Sequence, residues 1–271
     1  MKVAIIGHGY CGQATEYLLE EYIVPTPEVL IHDPLKGFVI DDWKDITFAF
    51  VCVPTNLKEQ QLDISIVDEV VETAKDAGRI IIRSTLGPDQ AIKYAKKGAI
   101  IMPEFLKENS WKLDVDNYKN PLLVGGHNME DFIGFLESSR HHKKIIQTGP
   151  CEASMIKCAR NSFLAVKVGF MNDIKDICDV HDIDYREVAR FFNQDSAMGN
   201  SHTQVPGWDG KYGFGGSCLP KDLTHTSNLC YASDNIMKTA IAANEFRRKD
   251  GKPNRETVSY THLTLPTICS V

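Results

Sequence analysis

The sequence of 271 residues has no long apolar run and no excess of positive charge. No run reaches the roughly 18 apolar residues that a membrane-spanning helix requires. The first residues enter an apolar strand pattern at once, without the basic segment and cleavage site of a secretory leader. The formal net charge of −6 argues against a surface that neutralises nucleic-acid phosphates. We therefore expect a cytoplasmic protein whose partners are neither membranes nor nucleic acids.

The sequence also lacks Cys-x-x-Cys pairs, and its nine histidines are not spaced like zinc-finger ligands. We therefore expect no metal site and mostly buried, free thiols. The eight cysteines are Cys11, Cys52, Cys151, Cys158, Cys178, Cys218, Cys230 and Cys269. With 43% hydrophobic and 24% charged residues, the composition is that of a globular protein of about two domains.

Short apolar runs alternate with helical patterns in the first half of the chain. The predicted strands are 2–6, 29–31, 48–53, 79–83, 99–102, 121–124 and 144–146, and helical stretches include 64–77, 89–97 and 129–139. Such alternation is typical of an α/β fold with a Rossmann-type, doubly wound, mostly parallel sheet.

The strand signals stop after Pro150, and apolar residues then recur at spacings of three and four. This pattern predicts one long helix over 152–180, shorter helices at 185–192, 218–231 and 236–248, and a loop at 193–217. The expected organisation is a nucleotide-binding domain at 1–149 and an all-helical domain at 150–250, connected by the long helix. Residues 251–271 show neither period, and we expect this tail to be non-native.

A glycine fingerprint follows the first predicted strand. Gly7-x-Gly9-x-x-Gly12 opens a helix, and Asp33 ends the next strand. In this context the glycines bring backbone close to a pyrophosphate, and the acidic residue accepts hydrogen bonds from the ribose. Because Asp33 would repel a 2′-phosphate, we predict NAD rather than NADP, although nearby Lys36 could weaken that preference. The alternative is an ordinary glycine turn followed by an ordinary aspartate.

The most distinctive segment is Gly213-Phe-Gly-Gly-Ser-Cys218-Leu-Pro-Lys221-Asp222. Cys218 begins a predicted helix, and the helix N-terminus together with Lys221 favours a thiolate. A thiolate can attack an aldehyde, and oxidation of the adduct gives a thioester, which explains a cysteine beside a nicotinamide site. The alternative is a cysteine that only packs.

Further candidates lie on the long helix and at strand ends. Lys157 and Asn161 stand four residues apart, so both project from one helix face, where they could polarise an alkoxide or merely be solvated. Glu104 follows a strand at the carboxyl edge, where open parallel sheets build their sites. Pro54, Thr55, Ser84 and Thr85 occupy equivalent strand ends.

In this order, the segments resemble the UDP-glucose/GDP-mannose dehydrogenase family over residues 1 to about 250. The most specific match is the glycine-cysteine segment that ends at Asp222. The supporting motifs are Val53-Pro-Thr, Ser84-Thr85, Pro103-Glu-Phe-Leu, Lys157-x-x-x-Asn161 and Val205-Pro-Gly.

The resemblance implies a role for each matching position. The implied cofactor-binding residues are Gly7, Gly9, Tyr10, Cys11, Gly12, Asp33, Pro54, Thr55, Ser84, Thr85 and Lys221. The implied substrate-binding residues are Phe105, Leu106, Lys157, Asn161, Tyr212, Phe214, Gly215 and Cys218. The implied catalytic residues are Cys218, Lys157, Asn161, Asp222, Glu104 and Thr85.

The implied reaction is the NAD-dependent, four-electron oxidation of a UDP-sugar, UDP-glucose to UDP-glucuronate. Asp222 and Lys157 would handle proton and charge while the sugar C6 hydroxyl loses a hydride. Cys218 would capture the aldehyde as a thiohemiacetal, which a second NAD oxidises to a thioester.

In the last implied step, Glu104 assists water with Thr85 nearby, and Asn161 and Lys157 hold the oxyanion. The resemblance also implies a homodimer through the helix that starts near Glu152.

Two departures from the family pattern stand out. Relatives have a third, α/β domain that helps to hold the nucleotide, and we expect this chain to be either a compact form without it or a fragment. Trp208 stands where the family pattern leads us to expect proline.

Three alternative functions remain open. The substrate could be GDP-mannose or UDP-N-acetylmannosamine. The chain could instead be a β-hydroxyacid dehydrogenase, which transfers one hydride and needs no cysteine. It could also be a catalytically dead nucleotide-binding protein.

Overall fold

The computed structural model describes residues 1–140 and 143–250. Its strands are β1 (Lys2–Ile6), β2 (Glu28–His32), β3 (Ile46–Val51), β4 (Leu57–Lys58), β5 (Gln61–Leu62), β6 (Arg79–Ile82), β7 (Ile100–Ile101), β8 (Leu122–Gly125) and β9 (Ile145–Thr148). Its helices are α1 (Tyr10–Tyr22), α2 (Ser65–Thr73), α3 (Pro88–Ala95), α4 (Trp111–Asp116), α5 (Glu130–Glu137), α6 (Pro150–Val180), α7 (Tyr185–Gln194), α8 (Cys218–Leu229) and α9 (Ile236–Asp250).

Seven strands form one sheet in the order β2-β1-β3-β6-β7-β8-β9. All neighbours are parallel except β7 and β8, where Ile101 lies opposite Gly125 in an antiparallel pair. The prediction of a Rossmann-type, mostly parallel sheet followed by a long helix is therefore confirmed. The small antiparallel pair β4–β5 and the six-residue α4 were not predicted.

Apolar side chains cover both faces of this sheet. Val3 and Ile5 of β1 belong to one buried cluster with residues of α1, α4 and α5, whereas Ala4 and Ile6 belong to another with residues of α2 and α3. A parallel strand that is buried on both faces reads as a continuous apolar run, which is why the strands were visible in the sequence. The polar side chains of the candidate site lie near the carboxyl ends of these strands.

The described chain forms two compact units. The first contains residues 1–163 and 217–233, and the second contains residues 164–216 and the described residues after 233. Helix α6 contributes to both units, and α8 belongs to the first. The boundary between residues 149 and 150 stays a prediction, and the expected non-native tail, with Cys269, lies outside the described residues.

The second unit has a small apolar core of Met171, Cys178, Tyr185 and Val205. The buried Arg247 of α9 adds an ion pair to Asp173 at 2.6 Å and another to Asp176 at 2.8 Å. Charged contacts thus supplement this small apolar cluster.

Helix α9 also binds the glycine-rich loop over residues 207–216 of the second unit, called the glycine loop below. Asn244 accepts a hydrogen bond from the backbone N–H of Phe214 at 2.7 Å. Arg248 donates to the carbonyl oxygen of Phe214 at 3.0 Å and to Asp209 at 2.6 Å. Asn172 of α6 accepts from the N–H of Gly213 at 2.9 Å. The loop backbone is therefore fixed by side chains from two helices.

Within the described ranges, every helix is too short or too polar to span a bilayer. The same ranges contain no group of three or more His, Cys, Asp or Glu side chains arranged to hold a metal ion.

Candidate active site

The turn between β1 and α1 is bare backbone at the carboxyl edge of the sheet. Gly7 has a φ of +84°, a left-handed conformation that favours glycine. A Cβ at Gly12 would overlap the carbonyl oxygen of Gly7, so this position also requires glycine. Helix α1 begins at Tyr10 and points its free N–H groups toward the turn. These features are what a bound pyrophosphate needs.

Asp33 lies just after β2 and is tied to the same turn. Its Oδ2 accepts a hydrogen bond from the backbone N–H of His8 at 2.9 Å. Lys36 donates from Nζ to the carbonyl oxygen of His8 at 2.6 Å. Asp33 therefore lies beside the glycine turn, and these two predicted parts of an NAD site are arranged as a dinucleotide requires.

The ends of β3 and β6 lie side by side. Ser84 is buried and donates from its hydroxyl to the carbonyl oxygen of Val53 at 2.7 Å, which joins the two strand ends. Thr55 is buried, Thr85 is half-buried and Pro54 is exposed. The hydroxyl of Ser84 is thus already engaged in a hydrogen bond within the protein.

Glu104, in the loop after β7, forms a buried ion pair with Lys157 of α6. Lys157 Nζ lies 2.8 Å from Glu104 Oε1 and 2.7 Å from the Glu104 carbonyl oxygen, and the two side chains are 3% and 6% exposed. Burial alone would raise the pKa of Glu104, but the Lys157 ammonium and the Leu106 N–H lower it below its usual value. Burial would lower the pKa of Lys157, but Glu104 and Asp222 raise it. Both groups are therefore charged.

Cys218 occupies the first turn of α8, preceded by Ser217 at the N-cap. Its sulfur lies 3.3 Å from the hydroxyl of Tyr10, and the same hydroxyl donates to Glu104 Oε1 at 3.3 Å. Burial, followed by the nearby Glu104 and Cys218, raises the pKa of Tyr10, so its hydroxyl keeps its proton. Tyr10, predicted only as a cofactor contact, connects the sulfur to the buried carboxylate.

Asp222 lies one turn further along α8 and is completely buried. Asn161 Nδ2 donates to its Oδ2 at 2.6 Å, and Lys221 Nζ lies 2.6 Å from its Oδ1. Because Lys157 interacts electrostatically with both Asp222 and Cys218, the two groups of contacts form one cluster. The structure thus brings together five of the six predicted catalytic residues, and Thr85 follows the buried Ser84 at the end of β6.

The predicted substrate contacts divide between the two units. In the first, Leu106 donates its N–H to Glu104 Oε2 at 2.6 Å, and the ring of Phe105 lies 5.7 Å from Lys157 Nζ. In the second, Phe214 is buried, whereas Tyr212 and Gly215 are half-buried.

Two buried side chains near this edge were not predicted as site residues. Arg83 follows β6 and is 5% exposed, and a charged residue that ends an apolar strand was a signal the sequence offered. His225 of α8 is 4% exposed, and neither ring nitrogen has a hydrogen-bond partner among the described residues. Its Nε2 would lie 2.6 Å from a Cβ at Gly87, in the loop after Thr85, and nothing in the local sequence pattern indicated this packing.

Comparison with known proteins supports the resemblance found in the sequence. Residues 151–246 match the model of the UDP-glucose/GDP-mannose dehydrogenase family, central domain. UDP-glucose 6-dehydrogenase of Rickettsia typhi is 29% identical over 257 residues, which cover 86% of this chain and 56% of that protein. The chain thus spans little more than half the length of this curated relative.

Two solved structures share the fold. A UDP-glucose dehydrogenase from the hyperthermophilic archaeon Pyrobaculum islandicum has a TM-score of 0.74 at 19% identity, covering 90% of this chain and 68% of that one. The 3-hydroxyisobutyrate dehydrogenase of Mycobacterium tuberculosis has a TM-score of 0.67 at 15% identity, covering 92% and 94%. Residues 151–246 are thus similar to the central domain of the UDP-glucose/GDP-mannose dehydrogenases, and most of the chain is similar in sequence to a UDP-glucose 6-dehydrogenase.

Proposed function

We propose that the protein is an NAD-dependent dehydrogenase that oxidises the primary alcohol of a UDP-sugar to a carboxylate, with UDP-glucose as the expected substrate. One observation carries the proposal. A cysteine at a helix N-terminus lies beside a buried Glu104–Lys157 pair and an Asn161–Asp222 pair, at the same sheet edge as the glycine turn. The named relatives add support for this class of substrate.

NAD would be held by the glycine turn and Asp33. The first-turn N–H groups of α1 would bind the pyrophosphate, and the second oxygen of Asp33 would accept from the ribose hydroxyls. When bound, the nicotinamide supplies the hydride acceptor for both oxidations.

The chain's own residues would manage protons and charge. Asp222 would take the proton of the sugar hydroxyl, and the Lys157 ammonium would stabilise the developing alkoxide. Cys218 would add to the aldehyde carbon, and Asn161 with Lys157 would donate to the oxyanion of the adduct. Once the adduct has lost a second hydride to NAD, it is a thioester, and its carbonyl carbon is open to attack by water.

The ionised Glu104 would accept the proton of the attacking water. Its fixed position suits this task, because Lys157, Leu106 and Tyr10 all hold the carboxylate in place. Tyr10 would keep its proton and hydrogen-bond to the Cys218 thiolate as the thioester breaks, since its hydroxyl lies 3.3 Å from that sulfur.

The test is the amount of NADH formed from a limiting amount of UDP-glucose by the pure protein. About two NADH per UDP-glucose are expected for the paired oxidation. GDP-mannose and UDP-N-acetylmannosamine serve as competing substrates, and a larger kcat/KM for either would reassign the sugar nucleotide. Binding of NAD and UDP-sugar without any NADH would favour a binding-only protein.

Cys218→Ser separates this function from single hydride transfer. Loss of acid formation is expected, because serine is a poor nucleophile without a neighbouring base. Cys230→Ser, at the end of the same helix and exposed, is the matched control. A β-hydroxyacid dehydrogenase, which can use Lys157 and Asn161 but needs no thiol, would keep near-normal turnover in both variants.

We also propose a homodimer through α6. Ile156, Phe163, Phe170 and Ile177 recur every seven residues along this helix and are between 45% and 64% exposed. Such a row of exposed apolar side chains is typical of a helix that packs against a partner. A dimeric mass in sedimentation is expected at micromolar concentration, with Phe163→Glu giving a monomer, and a monomeric wild type would contradict the proposal.

A further inference from the structure

The charged groups of the candidate active site are balanced in pairs. Lys157 Nζ lies 2.8 Å from Glu104 Oε1, and Lys221 Nζ lies 2.6 Å from Asp222 Oδ1. The proposed substrate brings further negative charge on its diphosphate. Because phosphate oxygens are bound most strongly by cationic donors, a site for this substrate should contain a cation that no carboxylate of the protein already neutralises.

Arg160 of α6 is a cation of this kind. Its guanidinium carbon lies 5.2 Å from the ring centre of Phe105, and its Nη1 donates to Asn161 Oδ1 at 3.4 Å. Both partners are uncharged, and Arg160 forms no ion pair with the carboxylates of the described residues. By contrast, Lys107 in the same loop as Phe105 lies 3.6 Å from Asp114. The charge of Arg160 is therefore available to a ligand.

Arg160 lies close to the proposed reacting groups without being one of them. The Asn161 amide accepts from Arg160 at Oδ1 and donates from Nδ2 to Asp222 at 2.6 Å, so it separates the two side chains. In UDP-glucose the sugar ring likewise separates the reacting C6 from the diphosphate at C1. Arg160 is exposed, whereas Lys157 and Asp222 are buried, so a phosphate can reach the guanidinium from solvent.

The guanidinium also keeps donors free for such a ligand. It has five N–H groups, and Asn161 is the acceptor that the described residues provide for them. The contact with Phe105 supplies no oxygen acceptor and neutralises no charge. Two parallel N–H groups can therefore bind two oxygens of one phosphate, the geometry that arginine offers and lysine does not.

We propose that Arg160 is a further substrate-binding residue, which holds the diphosphate of the sugar nucleotide and so determines the preference for a nucleoside diphosphate sugar over an uncharged sugar. This inference rests on the proposed function, since it requires a substrate with a diphosphate. Phe105 and Asn161 position the guanidinium from two sides.

The kinetic test is Arg160→Gln, which removes the charge but keeps a side-chain amide that can donate to Asn161. Hydrogen bonds to charged groups contribute about 1.5–3 kcal/mol, so KM for UDP-glucose should rise about 10- to 100-fold. The kcat should change by less than about threefold, because Arg160 touches no reacting atom. Arg160→Lys should lie between the variant and the wild type.

Arg186→Gln is the matched control, because it removes the charge of another exposed arginine, whose side chain is 88% exposed and pairs with Asp184. Its KM and kcat should equal those of the wild type. An unchanged KM in Arg160→Gln would overturn the proposal. A lower kcat at unchanged KM would do the same, since it would assign Arg160 to positioning Asn161 instead.

Binding of UDP and of uridine, measured by calorimetry, separates this inference from the proposed function because it needs no turnover. Arg160→Gln should weaken UDP binding about tenfold or more and leave uridine binding within about twofold. A wild type that binds UDP but forms no NADH would contradict the proposed oxidation, and the variant would still decide the role of Arg160. Equal UDP affinity in wild type and Arg160→Gln would overturn this inference alone, and a wild type that neither binds UDP nor oxidises UDP-glucose would overturn both.

Discussion

The two compact units obtain their stability differently. The first has a large apolar core on both faces of its sheet, and the buried polar groups described there concentrate at one sheet edge. The second has a small apolar cluster that includes Met171 and Tyr185, and α9 adds charged and polar contacts to α6 and to the glycine loop. In the first unit, the buried charges belong to the groups proposed to carry out the chemistry. In the second unit, the buried Arg247 pairs with Asp173 and Asp176 of α6. Substitutions of charged residues should therefore have different consequences in the two units.

The largest effect is expected for Lys157→Met in the first unit. Removal of the ammonium leaves the Glu104 carboxylate buried without its partner, which should lower the free energy of unfolding by about 3–5 kcal/mol. Denaturation by urea measures the change. The double variant Lys157→Met with Glu104→Gln should recover part of the loss, because no charge is then left unpaired. A single variant as stable as the wild type would show that the edge tolerates an unpaired carboxylate.

A smaller effect is expected for Arg247→Met in the second unit. This variant loses the hydrogen bonds to Asp173 and Asp176, and bonds to charged groups contribute about 1.5–3 kcal/mol. The aspartates keep access to water, since Asp173 is 64% exposed, so the cost should stay below that of Lys157→Met. The same urea titration provides the comparison. A loss larger than that of Lys157→Met would reverse the contrast between the units.

The ionisation of Glu104 should contribute about 1.4 kcal/mol to stability for each unit by which its pKa is lower in the folded chain than in the unfolded one. Its pKa is lower in the folded chain than in the unfolded one, so its contribution is complete above about pH 4.3 and is lost as the pH falls through the folded value. Glu104→Gln lacks this contribution at every pH. The difference in unfolding free energy between wild type and variant should therefore shrink below pH 4.3, and a constant difference would exclude an ionised Glu104.

The smallest effect is expected for Arg190→Ala, at an exposed ion pair with Glu187 in the second unit. Such pairs contribute less than about 1 kcal/mol, because water and salt screen them. This variant is also the control for Arg247→Met, since it removes an arginine whose side chain is 65% exposed. A loss comparable to that of Arg247→Met would show that charge itself, rather than burial, decides the cost.

Short apolar runs were sufficient to predict the seven strands of the main sheet. The inner strands are continuously apolar because both of their faces are buried. The two-residue strands β4 and β5 are too short to show a period, and periodicity carries no information about the direction in which β8 pairs with β7. Apolar residues at spacings of three and four predicted the long helix. They did not show that α8 joins the first unit.

The candidate site was predictable where a residue type at a strand or helix end has a limited set of uses. Glu104 and Cys218 were selected in this way, Lys157 and Asn161 by their spacing of four residues on one helix, and Asp222 by the family resemblance. The structure gathers all five. The hydroxyl of Tyr10 and the packing of His225 were not predictable, because both depend on contacts between segments far apart in the chain.

The return of α8 to the first unit has a consequence for gene recombination. A crossover near residue 150 would exchange the whole glycine turn together with Tyr10 and Glu104, while Cys218, Lys157 and Asp222 would come from the other parent. In such a chimera, Glu104 would come from one parent, whereas its partner Lys157 and Cys218 would come from the other. Exchange of the glycine loop alone, with crossovers within 164–216, would leave these partners together and is the more favourable design for a chimera.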